Sequence, residues 1–186
     1  MFQLGETLSA LEAGKMILYP TDTVWGLGCD ASNSTAIQRI LSFKDRPVGA
    51  GLICLVDSAE MLETYVGEIH PRLKTLLSHH TRPLTVIYDN VQSFPKELLA
   101  SDGTCGIRIT EDPYCKALIG SFGKPIVSTS ANKKGEPFPS HFGAVSSDVI
   151  RAVDHVVRYR QREKSDAQPS IIARWTKQNE IEPIRQ

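Results

Sequence analysis

Residues 105–132, CGIRITEDPYCKALIGSFGKPIVSTSAN, decide the fold class because they read as strand, helix and strand in direct succession. CGIRIT (105–110) is a short and mostly apolar run, and PIVS (125–128) is a second one. Between them, DPYCKALIGSF (112–122) reads as a helix, and Gly123 follows it where a glycine commonly ends a helix. Strands separated by helices are typical of an α/β domain.

The same alternation extends towards both ends of the chain. Asn33 or Ser34 is expected to cap a helix, and Pro71 fits the first turn of another. The close spacing of the last strands indicates that part of the sheet is antiparallel. The other predicted helices are 4–13, 34–43, 58–66, 71–79, 96–100 and 146–153. The other predicted strands are 16–19, 52–56, 83–88, 155–160, 169–175 and 180–184. The stretches expected to lack regular structure are 20–33, 44–51, 129–145 and 160–169, and long loops of this kind commonly carry function.

Composition and charge limit the class of protein. The 186 residues suffice for one domain with a real core, and 41% hydrophobic residues are ordinary for a globular protein. The 21 basic and 21 acidic side chains cancel, so the basic excess that is typical of a nucleic-acid binder is missing. The four cysteines have no C-x-x-C spacing, which disfavours a metal knuckle and indicates inert thiols in a reducing compartment. The N-terminal segment has no signal-peptide pattern, and no apolar run is long enough to cross a membrane, so a cytoplasmic location without membrane association is predicted.

Two segments combine charged or hydroxyl side chains with a loop. KDRP (44–47) ends a predicted helix, so Lys44 and Arg46 either complement the helix dipole or bind a polyanion such as a triphosphate at the following VGAG loop. In YPTDTVWGLGCDA (19–31), Thr21, Asp22 and Thr23 follow a strand, where they either form a turn or face a ligand crevice. GLGCDA matches a dinucleotide fingerprint, but six residues separate it from the strand, so a Rossmann site is rejected.

VSTSANKKGEP (127–137) is the strongest local anomaly, because hydroxyls and an amide follow a strand directly. This segment is either a polar loop or an anion or ribose site. Arg108, in the middle of a strand, either points to solvent or binds an anion such as a carboxylate, because burying it unpaired is costly. The sequence has neither the P-loop pattern nor a G-x-S-x-G elbow, and no histidine is marked as a partner base for a serine nucleophile.

Seven stretches in one order resemble a known family over almost the whole chain. They are YPTDTVWGLGCDA (19–31), FKDRP (43–47), RPLTVIY (82–88), CGIRIT (105–110), PIVSTSAN with the following G and P (125–137), PSIIA (169–173) and EPIRQ (182–186). Together they resemble the YrdC-like family, the threonylcarbamoyl-AMP synthases. The hallmark of this family is K-x-R followed far downstream by S-x-N, which here are Lys44/Arg46 and Ser130/Asn132.

The resemblance implies both a fold and a reaction. The fold would be a single YrdC-like domain over residues 1–186, with a twisted mixed parallel and antiparallel sheet, flanking helices and a basic concave face; the extra C-terminal domain of longer relatives is expected to be absent. The reaction would condense L-threonine, bicarbonate or CO₂, and ATP, with Mg²⁺, to threonylcarbamoyl-AMP and pyrophosphate. The product would serve a transferase complex that modifies adenosine 37 of tRNAs reading ANN codons.

The resemblance also implies roles for ten residues. Lys44 and Arg46 would grip the phosphates as the catalytic pair. The residues implied for ATP are Lys44, Arg46, Thr104, Ser130, Asn132 and Arg185. The residues implied for threonine are Thr23, Arg108, Ser128 and Ser170.

The sequence departs from the family pattern at three positions, and it leaves one competing class of function. Trp25 replaces the usual tyrosine, Leu55 lies near a usual histidine, and Ile171 replaces a threonine. The competing class is a non-catalytic module that binds double-stranded RNA or tRNA, which the neutral net charge weighs against. A carbamoyl-transfer role within a maturation factor would need further domains.

Overall fold

The computed structural model describes residues 2–89, 91–176 and 178–185, the last of these, Arg185, by its backbone only. The α-helices are α1 Gly5–Glu12, α2 Ser34–Phe43, α3 Ala59–Val66, α4 Pro71–His79, α5 Pro113–Phe122 and α6 Ser147–Ala152, and a 3₁₀ turn covers Phe142–Ala144. The strands are β1 Ile17–Tyr19, β2 Gly26–Gly28, β3 Ile53–Val56, β4 Leu84–Tyr88, β5 Cys105–Ile109, β6 Ile126–Ser130, β7 His155–Val156, β8 Ile171–Trp175 and β9 Ile181–Arg185. None of the helices in these ranges has the length and apolar character needed to cross a membrane.

The described strands form one mixed sheet, which confirms the predicted α/β fold. Their order is β7-β1-β2-β6-β3-β5-β4-β8-β9. The pairs β1–β7, β3–β5 and β4–β8 are parallel, and the other neighbours are antiparallel. The predicted antiparallel character of the late strands holds for β8 and β9.

Local sequence signals placed most helix ends correctly. The Asn33 side chain accepts a hydrogen bond from the amide of Ala36 and caps α2, as its position predicts. Asp112 caps α5 in the same way, and Gly123 ends that helix at a φ of 72° in the left-handed region. These ends depend on residues within one turn of each other, which is why the sequence suffices to find them.

Three of the predicted elements differ from the structure in type or extent. Residues 96–100 are a turn rather than a helix, because the carbonyl of Leu98 accepts the amide of Leu52 and Ala100 bridges residues 49 and 50. The predicted strand 155–160 shortens to the two residues of β7. The strand predicted over 125–128 continues to Ser130, where it pairs with Gly26 of β2.

Strand β2 lies inside the segment 20–33 that the sequence left without regular structure. Its glycines lower the propensity for a strand, so no local signal marks it. The reason for the glycine is tertiary: a Cβ atom on Gly28 would lie 2.6 Å from Cε1 of Tyr19 and 2.7 Å from the carbonyl oxygen of Val127. The strand therefore exists because its backbone fits against Tyr19 between β1 and β6.

The two faces of the sheet are covered to different extents. Helices α2, α3 and α4 pack their buried residues against Cys54, Val86, Ile107 and Val127 and cover one face. On the other face, α1 and α5 pack on β1 and on Leu55 and Ile126. Register partners lie on the same face of a sheet. Ile53, Gly106 and Ser128 are therefore side by side on this second face, beyond the residues that α1 and α5 cover.

Candidate active site

A cavity of about 420 Å³ lies on the part of the sheet that α1 and α5 leave uncovered. Its floor contains Ile53, Gly106 and Ser128 from three neighbouring strands. Its walls come from the loop after β1, the loop after α2 and the segment before β8. This volume falls within the range of small-molecule sites.

The structure brings together most of the residues that the sequence assigned to a site. Eight of the ten line the cavity: Thr23, Lys44, Arg46, Thr104, Arg108, Ser128, Ser130 and Ser170. Asn132 lies directly behind the lining, in contact with Lys44. Arg185 belongs to β9, and its side chain lies outside the described residues. Thr129, which the sequence left without a role, also lines the cavity.

Arg108 is buried at the end of β5, with only 3% of its surface exposed. Its Nη2 lies 3.0 Å from Oδ1 of Asp22 and donates to Oγ1 of Thr23 at 3.3 Å. The sequence left two alternatives for Arg108, pointing to solvent or binding an anion. In the structure, the carboxylate of Asp22 supplies its counter-charge. Within the described part of the chain, the buried Nε of Arg108 has no hydrogen-bond acceptor. This Nε is closed off from solvent, but Arg108 lines the cavity, so its guanidinium is placed to meet an anionic ligand there.

Lys44 is a clamp on the segment that follows β6. Its Nζ donates to the carbonyl oxygen of Ser130 at 2.8 Å, to that of Asn132 at 2.6 Å and to Oδ1 of Asn132 at 2.9 Å. The side-chain Nδ2 of Asn132 in turn donates to the carbonyl oxygen of Glu136 at 2.6 Å. K-x-R and S-x-N are therefore one connected unit, in which the lysine holds the S-x-N backbone at the cavity wall.

Burial, followed by the nearby Arg46 guanidinium, lowers the pKa of Lys44 to about 8. Both effects disfavour the charged ammonium. Because an unperturbed lysine titrates near 10.4, this pKa brings the change of charge at Lys44 much closer to neutral pH.

Arg46 reaches the cavity from the loop after α2. Its Nη2 donates to the carbonyl oxygens of Ala50 at 2.7 Å and Gly51 at 2.9 Å. Asp45, between the two cations, has a φ of 50°, and this left-handed turn of the backbone separates the Lys44 and Arg46 side chains. Two cations that lie one residue apart therefore reach the same cavity from different directions.

Hydroxyl groups on the wall are held by neighbours rather than left to rotate. Oγ1 of Thr104 donates to Oδ1 of Asp102 at 2.7 Å. Oγ of Ser170 lies 2.9 Å from Oγ1 of Thr85 in the middle of β4. Such second partners fix the orientation of a polar side chain before a ligand arrives.

Sequence reasoning missed two residues that matter here. Asp22 was noted only as a crevice or turn residue, although it is the partner of Arg108. Thr85 was read as part of a buried apolar strand, although it lines the cavity. The sequence signals were a carboxylate directly after a strand, for Asp22, and a hydroxyl within an apolar run, for Thr85. Neither signal identifies the residue that the side chain contacts.

The three departures from the family pattern lie outside the lining of the cavity. Trp25 is buried and packs on Phe142, with ring centroids 5.0 Å apart. Leu55 is fully buried in the core beneath α5. Ile171 is half-buried at the start of β8, next to Ser170. These three side chains therefore belong to the surroundings of the cavity rather than to its lining.

The donor set does not favour a protein-held magnesium ion. Magnesium prefers carboxylate oxygens in addition to substrate phosphates. No carboxylate is among the described lining residues, and no group of three potential metal ligands occurs in the part of the chain that the structure describes. Magnesium in this cavity would therefore be held by substrate oxygens rather than by side chains.

Buried cations, fixed hydroxyls and a glycine-containing floor on an α/β sheet suit the binding of an anionic small molecule. A sequence model of the Sua5-YciO-YrdC family, described as "Telomere recombination", matches residues 9–186. The chain belongs to this family, which confirms the resemblance found in the sequence.

Curated relatives agree with this assignment. The threonylcarbamoyl-AMP synthase of Pseudoalteromonas translucida is 37% identical over 136 residues, which are 72% of this chain and 73% of the relative. The synthase of Xanthomonas axonopodis pv. citri is 35% identical over 157 residues, or 83% and 84% of the two chains. These relatives confirm the prediction of an enzyme of the nucleotidyltransferase class.

Solved structures share the fold. Sua5 of P. abyssi, in complex with L-threonine, superposes with a TM-score of 0.80 at 25% identity over 92% of this chain. The match spans only 50% of that longer chain. E. coli YciO superposes with a TM-score of 0.81 at 21% identity over 98% of this chain and 90% of its own, which supports the fold alone.

Proposed function

We propose that the chain is a threonylcarbamoyl-AMP synthase that condenses L-threonine, bicarbonate or CO₂, and ATP, and releases pyrophosphate. The observation that carries the proposal is the buried guanidinium of Arg108, which faces the same cavity as Lys44 and Arg46. One buried, oriented guanidinium suits an amino-acid carboxylate, and a separate pair of cations suits a triphosphate. The names of the relatives and the threonine complex of Sua5 support the same substrates.

The proposed threonine site lies at the Arg108 end of the cavity. The threonine carboxylate would accept from the guanidinium of Arg108, next to Thr23. Ser128 on the floor and Ser170 on the wall are proposed to contact the rest of the amino acid. Discrimination against serine would be modest, since one methyl group contributes only about 1–3 kcal/mol.

The proposed ATP site lies at the Lys44 and Arg46 end. The two cations would neutralise the phosphates, while Ser130, Thr104 and Asn132 shape the wall for the rest of the nucleotide. Because all three close acceptors of Lys44 belong to the S-x-N segment, its first task is to hold that segment in place. Arg185 remains a proposed nucleotide contact.

The chemistry needs no protein nucleophile. The nitrogen of the neutral threonine amine would add to CO₂ and release a proton to give a carbamate; a carbamate oxygen would then attack the α-phosphorus of ATP and break its bond to pyrophosphate, which leaves. The enzyme would contribute by holding two anions together against their repulsion and by stabilising the charge that develops at phosphorus. Magnesium would enter with the phosphates of ATP and screen their charge, and the side chains described above perform the positioning.

The proposed function also covers the domain, the cellular location and the partners of the protein. We place the activity in a single domain formed by residues 1–186 and in the cytoplasm. The product would pass to the tRNA threonylcarbamoyl transferase complex, and tRNA is a possible direct partner. The non-catalytic RNA-binding alternative is weaker, because the described site has its cations inside a cavity of small-molecule size.

The deciding experiment measures pyrophosphate release by the purified chain with ATP, bicarbonate and L-threonine. We expect release that depends on all three, with the nucleotide product containing threonine by mass spectrometry. Each substrate is omitted in turn, and L-valine serves as the matched control for the hydroxyl. Tight, salt-sensitive binding of duplex RNA without any turnover would contradict the proposal.

The affinity for ATP is expected to fall by about tenfold or more between about pH 7.5 and 9.5, because Lys44 titrates near 8 and loses its charge across this range. Below its pKa the ammonium provides three donors for its three close acceptors. The neutral amine provides two donors and no charge for the phosphates. Calorimetric titration with ATP alone avoids the pH dependence of carbamate formation.

A Lys44→Arg variant is the control for this pH effect, since a guanidinium stays protonated throughout the range. Its ATP affinity should change little with pH, whatever its absolute value. A wild-type affinity that stays constant up to about pH 9.5 would rule out titration of Lys44 in this range.

A further inference from the structure

We propose that Arg160 is a positioning residue that ties segment 160–169 to the amino-acid end of the cavity and so holds the threonine site in its binding conformation. This inference rests on the proposed function for the identity of the ligand. It concerns a residue that the motifs of the family do not include.

Arg160 connects two segments that are far apart in the sequence. Its Nη1 lies 2.7 Å from Oδ2 of Asp112 and donates to the carbonyl oxygen of Thr21 at 3.3 Å. Asp112 is buried at the start of α5, and Thr21 lies in the loop after β1. Its Nε donates to Glu163 of its own segment at 2.8 Å. The guanidinium thus lies at the junction of three parts of the chain.

The two segments that Arg160 joins are the ones that build the Arg108 cluster. Oγ1 of Thr21 accepts the amide of Thr23 at 3.0 Å and lies 2.9 Å from its Oγ1. Oγ1 of Thr23 accepts from Arg108. Asp112 follows Arg108 by four residues, just beyond the end of β5. Contacts therefore run without a gap from Arg160 through Thr21 and Thr23 to the guanidinium of Arg108.

The same residue also anchors one wall of the cavity. Segment 160–169 ends at Pro169, which lines the cavity together with the next residue, Ser170. Arg160 itself has a φ of 61°, in the left-handed region that non-glycine residues rarely occupy. The side-chain contacts to Asp112 and Thr21 hold this conformation, in which the chain turns back towards the cavity.

The charge of Arg160 has a separate effect on the cavity. Asp112 is 5% exposed in its side chain, and Arg160 is its cationic partner among the described residues. Without the guanidinium, this buried carboxylate would keep its cap contact to the amide of Cys115 but lose its cation, near the site proposed for the threonine carboxylate. Removing Arg160 thus both releases the segment and adds negative potential, and a second substitution at Asp112 separates the two effects.

The test compares Arg160→Ala, Arg160→Lys, Arg160→Ala with Asp112→Asn, and the control Arg162→Ala, which changes an exposed arginine of the same segment. Calorimetry gives the dissociation constant for L-threonine, and steady-state kinetics give the KM values for threonine and ATP. Cleavage after Lys164 by a lysine-specific protease reports directly on the segment, without any need for turnover.

We expect Arg160→Ala to weaken threonine binding about tenfold and to speed cleavage after Lys164 by a similar factor, with the KM for ATP within about twofold. Arg160→Lys should recover part of both effects. The double variant should keep the fast cleavage, because an asparagine in place of Asp112 can still cap α5 but cannot replace the ion pair. Arg162→Ala should match the wild type in all measurements.

Unchanged threonine affinity in Arg160→Ala would overturn the inference, even if cleavage were faster. Equal loss of threonine and ATP affinity would also overturn it, because that result indicates general destabilisation. Failure of the proposed function looks different, since the wild type would then release no pyrophosphate with threonine. The protease measurement would still show whether Arg160 fixes the segment.

Discussion

Arg108→Met is expected to raise the KM for L-threonine by about two orders of magnitude or more, while the KM for ATP changes by less than about threefold. Arg108 is only 3% exposed, so little water is available to replace its guanidinium as a partner for the threonine carboxylate. Methionine keeps much of the side-chain volume, which limits the packing defect. Initial rates of pyrophosphate release at varied threonine and at varied ATP provide the two constants.

The substitution also leaves Asp22, whose side chain is only 12% exposed, without its cation, which destabilises the protein by itself. A double variant, Arg108→Met with Asp22→Asn, removes this charge and should recover thermal stability while threonine binding stays weak. If the double variant regains threonine affinity, the loss in the single variant came from Asp22, and the proposed carboxylate contact is incorrect.

Arg46→Ala is expected to lower the rate of pyrophosphate release by about 10²–10³ at saturating threonine. The guanidinium contributes its charge to the cavity and also holds the carbonyl groups of Ala50 and Gly51. Both contributions disappear in the variant, and they act where negative charge builds up at the phosphates. Single-turnover measurement of pyrophosphate release reports the chemical step.

Arg46→Lys is a sharper variant of the same experiment. A lysine keeps the charge but cannot bind two carbonyl oxygens and a phosphate through one planar group, so we expect it to restore only a small part of the rate. Arg72→Ala, on the exposed surface of α4, is the control for removal of one positive charge. Full activity in Arg46→Ala would show that Arg46 has no part in the reaction.

The sequence predicted the candidate site in greater detail than it predicted some elements of the fold. Segments with apolar side chains and a clear cap, such as α2 with Asn33, could be located because their signals are local. Strand β2 could not be located from the sequence, because two of its three residues are glycines. The strand forms because its backbone packs closely against the ring of Tyr19. The turn at 96–100 has helix-favouring residues, but its backbone bonds to residues 49–52 instead.

The sequence alone determined the α/β class, the main helices and the residue types of the site, because these follow from periodicity, capping and motifs that adjoin one another in the chain. Only the tertiary structure decided the partners: Asp22 for Arg108, the S-x-N backbone for Lys44, and Asp112 for Arg160. The physical reason is that each of these pairs is at least 48 residues apart in the sequence. A buried charge needs a counter-charge, but the sequence around it does not identify the residue that supplies it.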